Sequence, residues 1–249
     1  MSFESIALLI TGAAAGGFIN GLAGFGTALF SLGIWLQIMP TWQAVAIVAA
    51  MSVASGLQSL WLIRKDLNSG LSKLPRFLLP ALAGLPAGAA ILEMINGQVL
   101  KMVIAGFMLL YGAFFTLRRS LPQFSRPMPV VDSLIGLSGG FLGGIASLSG
   151  PLPTMWCAMQ PWTKTETSAV LRPYNVVILA IAVMIFARNG YYSSDTLIMM
   201  AIALPATLIA SKLGVAVFYR LNDGQFRRVI IWLMFISGVL LATHQLAQR

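Results

Sequence analysis

Arg172 stands in "AVLRPYNVV", about seven residues into an otherwise apolar stretch. A guanidinium at such a position is costly unless it has a task, and its planar fork matches carboxylate, sulfonate or phosphate oxygens. Tyr174 and Asn175 place two more hydrogen-bonding groups beside it. Two glycine-rich clusters share this polar-within-apolar character. "FINGLAGFGTALF", Phe18 to Phe30, sets Asn20, Gly24, Gly26 and Thr27 in a stretch with no charge between Glu4 and Arg64, and "SLSGP" sets Ser147, Ser149 and Gly150 in a second one. With Gln58, these groups form an expected anion site: hydroxyls, amides and backbone N–H groups hold the oxygens, and Arg172 supplies the countercharge. Competing structural readings stand beside this one. Arg172 either binds an anion, snorkels to headgroups, or pairs with Glu166 about two turns earlier. Lys212, eight residues before Arg220, reads as a snorkelling side chain. Gln58, Ser55, Tyr174 and Asn175 also suit ordinary helix–helix hydrogen bonds.

The elements that must position these groups are set by composition. Of 249 residues, 58% are hydrophobic and 9% charged, against about 25% charged in a soluble domain. An all-α polytopic membrane protein follows. Apolar segments are expected at about 5 to 39, 41 to 63, 74 to 93, 98 to 117, 130 to 161, 166 to 187, 195 to 219 and 226 to 246. The N-terminus lacks the basic region and cleavage site of a signal peptide, so the first segment is expected to be retained. The first and fifth segments are too long for single spans, since helices of their length would extend on the order of 50 Å. Each is expected to break into two arms, at 20 to 27 and at 147 to 151. Gly21, Gly24 and Gly26 then serve either as the turn of a broken helix or as a small-residue packing surface, which Gly17 and Gly21 also fit. Ser147, Ser149, Gly150 and Pro151 in the second copy favour the break.

The two segments resemble each other: "GFINGLAGFGTA" from Gly17 aligns without gaps on "GFLGGIASLSGP" from Gly140. "LLPAL" at 78 to 82 resembles "ALPAT" at 203 to 207, and "NGQVLKMVI" at 96 to 104 resembles "DGQFRRVII" at 223 to 231. Four matches in one order, counting Pro40 near Pro161, point to a duplicated half: repeats at 1–125 and 126–249, each a broken or re-entrant hairpin plus three spanning helices. If the long segments turn back to the side they entered, eleven loop Lys/Arg face one side and three (Lys101, Arg188 and Arg249) the other. Straight crossing gives nine against five. The positive-inside bias favours the first, which inverts the halves and puts both termini outside the cytoplasm.

Other chemistries find little footing. Cys157 is the only cysteine and His244 the only histidine, so no metal cluster, disulfide or redox cofactor is expected. Ser147 and Ser149 have no base placed to activate them, which argues against an enzyme. The net charge of +9 sits in short loops, so it signals topology, not nucleic acid. Trp35, Trp42, Trp61, Trp156 and Trp162 fall near segment ends and read as an aromatic belt. No carboxylate lies deep in a span, which leaves sodium coupling through carbonyls or uncoupled transport open.

At "GGFINGLAGFGTALFSLGI" and "GGFLGGIASLSGPLPTMW", with "LPALAGLPAGAAI" and "GQVLKMVIAGFMLLYGAFF", the chain resembles the TauE/SafE sulfite exporter family over roughly residues 8 to 243. The resemblance implies a carrier of two repeated halves in a bacterial or archaeal plasma membrane, moving sulfite, sulfonates, other organosulfur anions or small organic acids. Where many relatives carry a richer glycine run, this chain has "GFGTALF" and "SLSGPLP", both at the expected pocket. The partners expected are a small anion and the bilayer, with a homodimer also open. The rival readings are a non-transporting scaffold or partner subunit, and an anion channel.

Overall fold

A computed structural model describes residues 3–92, 94, 95, 98, 99, 102, 106, 124, 128–226, 228, 229 and 232. The expected segments at 98 to 117 and 226 to 246, His244 and the chain ends lie largely outside these. The described residues form eight α-helices and no strand. They are α1 (Phe3–Ala23), α2 (Thr27–Trp35), α3 (Thr41–Leu62), α4 (Leu74–Leu92), α5 (Pro129–Ala146), α6 (Pro151–Ala158), α7 (Lys164–Arg188) and α8 (Ser194–Arg220). Six of them, α4 extended to Leu71 and all but α2 and α6, are long and apolar enough to cross a membrane.

Both long apolar segments are broken. α2 runs back along α1: the Trp35 Nε1–H donates to Leu9 O at 3.1 Å and the Ser31 hydroxyl to Gly12 O at 2.8 Å. α6 returns along α5 in the same way, with Trp156 Nε1–H donating to Asp132 Oδ1 at 2.6 Å. Trp35 and Trp156 therefore do not belong to an aromatic belt. They are almost wholly buried, and each pins the return arm of its hairpin, whereas Trp42 and Trp61 are exposed near helix ends as expected.

Helix directions follow from the register of contacts. Gly17 and Gly21 of α1 lie against Thr207 and Ser211 of α8, and Gly140 and Gly144 of α5 lie against Ala81 and Leu85 of α4. Both pairs rise together, so α1 is parallel to α8 and α5 to α4. α3 is parallel to α8 as well, with Gln43 donating to Thr196 Oγ1 and Ser211 donating to Ser55 O, so α1 and α3 run the same way and meet where Asn20 Nδ2 donates to Ser52 O. α7 is parallel to α5, with Gly139 beside Tyr174 and Gly143 beside Ile178. α3 and α7 run oppositely: Ala46 O accepts from Tyr192, just beyond α7, near one end, Gly56 abuts Val176 near the middle, and Gly70, just beyond α3, abuts Glu166. Two parallel triplets, α1–α3–α8 and α4–α5–α7, thus point in opposite directions. The helix after each hairpin-and-crossing pair packs on the other hairpin, which interlocks the two halves of the chain.

One end of the bundle carries most of the described basic residues. Lys73 pairs with Glu166 at 2.8 Å, Arg76 approaches Asp132 at 4.0 Å, and Lys164 Nζ donates to the Phe218 and Leu221 carbonyls. Arg64, Lys65 and Arg220 lie at the same end, whereas Arg188 terminates α7 at the other. Glu166 also closes a capping box with Thr163, which starts α7 by satisfying its first N–H groups.

Candidate functional site

α1 stops at Ala23 because Gly24 and Gly26 take left-handed backbone angles, φ 84° and 103°. Such angles cost an L side chain roughly 1–2 kcal/mol per residue but cost glycine nothing sterically. In the second hairpin Ser147 makes the corresponding turn at φ 55°. The Ser147 N–H reaches Gly143 O and the Leu148 N–H reaches Leu142 O, which closes the end of α5, and the Ser147 hydroxyl is held by Val45 O at 3.1 Å. The gapless alignment places Gly24 on Ser147, so both chains turn at matching positions. The tips then meet, with Phe25 of the first lying against Gly150 of the second.

Arg172 sits at the first break. Its stem fills the space a side chain on Gly24 would need, and the residue is 0% exposed. Nε–H donates to Ser168 Oγ at 2.6 Å, Nη2–H donates to Leu22 O at 3.2 Å, and the guanidinium lies 5.1 Å from the Phe218 ring centre. Nη1 has no protein partner. Neither structural alternative for this residue holds: it does not reach a headgroup surface, and Glu166 is taken by Lys73. Lys212, by contrast, is exposed, as a snorkelling side chain should be. The result is a fully buried cation with no carboxylate beside it among the described residues and with Nη1 unpartnered.

A hydrogen-by-hydrogen account of the other expected ligands separates donors from acceptors. Ser147 donates to Val45 O, Ser149 donates to Asn175 Oδ1 at 2.5 Å, and Tyr174 donates to Gly136 O at 3.0 Å. Asn20 spends its amide hydrogens on Ser52 O at 3.1 Å and Ser55 Oγ at 2.5 Å, which leaves its Oδ1 without a partner. Thr27 Oγ1 and Gln58 Oε1 are also unpartnered. Of the donors, Arg172 Nη1 and the Thr27 hydroxyl are buried without a partner. α6 contributes less than its position promised, because Pro151 and Pro153 in its first turn carry no N–H. The structure brings Gly24 to Arg172, Gly150 to Phe25 and Ser149 to Asn175. Gln58 lies on α3 about one turn past Ser55. The expected list lacked Ser168, Leu22 and Phe218. Ser168 was legible, four residues before Arg172 on one helical face. The other two are supplied by distant elements.

Gly24→Ala is expected to destabilise the protein by about 1–3 kcal/mol through strained backbone and to push the Arg172 stem aside. Ser147→Gly relieves the same torsion and forfeits one hydrogen bond, about 1 kcal/mol. Thermal melts of the two purified variants should rank Gly24→Ala below Ser147→Gly. The reverse order would mean that Gly24 is not the conformational keystone.

At the end of the bundle away from the basic residues, a cleft of about 420 Å³ is lined by Thr41, Trp42, Leu92, Ile95, Asn189, Gly190 and Tyr191.

The family described as Sulfite exporter TauE/SafE matches residues 8–241 of this chain. A protein of Cupriavidus necator named "Probable sulfite/organosulfonate exporter TauE" is 23% identical over 204 residues, covering 80% of this chain and 79% of that protein. No solved structure matches.

Proposed function

Since this chain belongs to the sulfite exporter TauE/SafE family, whose members are membrane transporters and not enzymes, we propose that it carries small organosulfur anions, sulfite and sulfonates, by alternating access. The Cupriavidus necator relative is named for those anions, and the chemistry of the first break suits them. The carrying observation is Arg172: wholly buried, without a carboxylate among the described residues, and with Nη1 unpartnered. A buried guanidinium stays charged at any physiological pH, so an anionic ligand is the natural partner for its free edge. The Thr27 hydroxyl and the positive end of α2 add donors on the same break.

Residues 1–125 and 126–249 are read as inverted repeats. Three observations support this: the opposed helix triplets, the matching left-handed turns at Gly24 and Ser147, and the exchanged packing of α4 and α8. Counting Arg172 four residues from the middle of α7 puts the site about 6 Å from the helix centre at 1.5 Å per residue. Rocking of one interlocked unit against the other would open it to either side, with the cleft beside Trp42 and Tyr191 as one mouth. The basic end is assigned to the cytoplasm, and both termini to the opposite side.

The test is a thermal-shift screen of purified protein against sulfite, taurine, sulfoacetate and small carboxylates, followed by counterflow in proteoliposomes with each hit. A ligand at about 100 times its Kd stabilises by about 2.7 kcal/mol, so a true substrate should raise the melting temperature by a measurable amount. A protein that shows no anion-dependent shift and no flux is a scaffold, and this reading fails.

A further inference from the structure

Resting on the transporter reading, we infer that the first break also holds a sodium ion beside the anion, bound by Asn20 Oδ1 and Thr27 Oγ1. Asn20 is 0% exposed and both of its amide hydrogens are spent, so the only thing it offers is a bare carbonyl-type oxygen. An anion's oxygens cannot be held by that atom, since lone pairs would face lone pairs. A buried, unpartnered acceptor costs free energy of its own, which a bound cation would recover.

Thr27 Oγ1, on a residue 1% exposed, is a second buried oxygen without a partner; its lone pairs can face a cation while its hydrogen serves the anion. It belongs to the same neighbourhood: Thr27 packs on Gly16, one helical turn before Asn20 on α1. Backbone oxygens add to the set. α1 ends at Ala23, so the carbonyls of its last turn lack helical donors. The Gly24 N–H takes Asn20 O and Arg172 takes Leu22 O, which leaves those of Gly21 and Ala23. The C-terminal end of α1 also carries the negative pole of its dipole.

Ligand chemistry selects the ion. Hard, neutral oxygens on side-chain amide, hydroxyl and backbone carbonyl suit a small hard cation. The described residues contain no group of three or more His, Cys, Asp or Glu that could satisfy a divalent metal. A monovalent ion fits, and sodium is the abundant small one.

The break therefore has two faces: α1 ends in acceptors and α2 begins with donors, and Arg172 sits against the glycine between them. This placement also supplies the coupling. Arg172 alone repels a nearby cation, and an anion on its free edge removes that repulsion. Each ion then tightens the other, as linkage requires. Sodium should bind at least about fivefold tighter when sulfite is present.

The experiment compares melts of purified protein in sodium, potassium and N-methylglucamine chloride at equal ionic strength, each with and without sulfite, and then sulfite flux in proteoliposomes under the same three cations. Wild type should be stabilised by sodium alone, more so with sulfite, and its flux should require sodium. Thr27→Val keeps the shape and breaks no protein hydrogen bond, so it should fold and lose the sodium shift; Asn20→Ala should lose it too. Sulfite flux equal in all three salts with no sodium-specific shift overturns the sodium site and leaves the carrier intact. An equal response to sodium and potassium overturns it as well, and so does a sodium shift retained by Thr27→Val. If no sulfite shift or flux occurs in any salt, the carrier reading fails instead, and a sodium shift abolished by Thr27→Val would still establish the cation site.

Discussion

Arg172→Met is expected to cut sulfite flux at low substrate by about ten- to 150-fold while leaving the melting temperature at or above that of wild type. The two effects share one cause. The buried guanidinium is held by Ser168 Oγ, Leu22 O and the face of Phe218, with no carboxylate beside it among the described residues. Its desolvation opposes folding, and an apolar side chain of similar length removes that cost, much as apolar replacement of buried ionic groups is often neutral or stabilising. Transport loses the charge that faces the anion. A charge-assisted hydrogen bond contributes about 1.5–3 kcal/mol, and each 1.4 kcal/mol is tenfold in affinity. Anion affinity should therefore fall by about ten- to 150-fold, and flux at low substrate with it. Arg172→Lys keeps the charge without the fork and should fall between. Arg172→Ala leaves a cavity as well, so a loss of stability in that variant alone would reflect packing. Flux of sulfite per folded protein, with melts on the same preparations, decides the matter. A destabilised Arg172→Met with unchanged transport would make Arg172 a structural residue and remove the proposed anion ligand.

Substituting the packing glycines should produce the largest loss of folded protein. A Cβ on Gly21 would enter the van der Waals envelope of the Ser211 backbone, and one on Gly144 that of Leu85 and Ala89. These obstacles are main chain in neighbouring helices, so no rotamer change relieves them and the helices must separate. Overpacking of this kind costs about 1–3 kcal/mol for a small addition; Gly21→Val and Gly144→Val should exceed that and yield little monodisperse protein on size exclusion. Because the alignment pairs Gly21 with Gly144, and each abuts the helix exchanged from the other half, the two variants should fail to a similar degree. Wild-type-like elution and melting of both would refute the close helix approach, and a large disparity between them would undercut the repeat.

The same glycines show where reading the chain reached its limit. Gly17, Gly21, Gly24 and Gly26 admitted both a turn and a packing seam, and both uses are present: Gly17 and Gly21 form the seam with α8, while Gly24 and Gly26 make the turn. Local pattern could not divide them, because a missing Cβ permits close approach and left-handed torsion alike. The tryptophans were misjudged for a similar reason. Position near a segment end is the same for a belt residue and for one folded back against its own hairpin, and only the return of α2 and α6 distinguishes Trp35 and Trp156 from Trp42 and Trp61.

Composition and spacing along single helices were enough for the membrane-spanning helical class and the two interrupted segments, and they marked Arg172 as an intramembrane cation without deciding between an anion ligand, a snorkelling side chain and a partner of Glu166. Tertiary structure decided which hydrogens are already spent. Ser147, Ser149, Tyr174 and Asn20 all look like available ligands in the chain, yet their partners at Val45, Asn175, Gly136, Ser52 and Ser55 lie mostly on other helices. Whether a polar group can receive an anion or a cation depends on where its own protons point, and that is fixed only when distant segments pack against it.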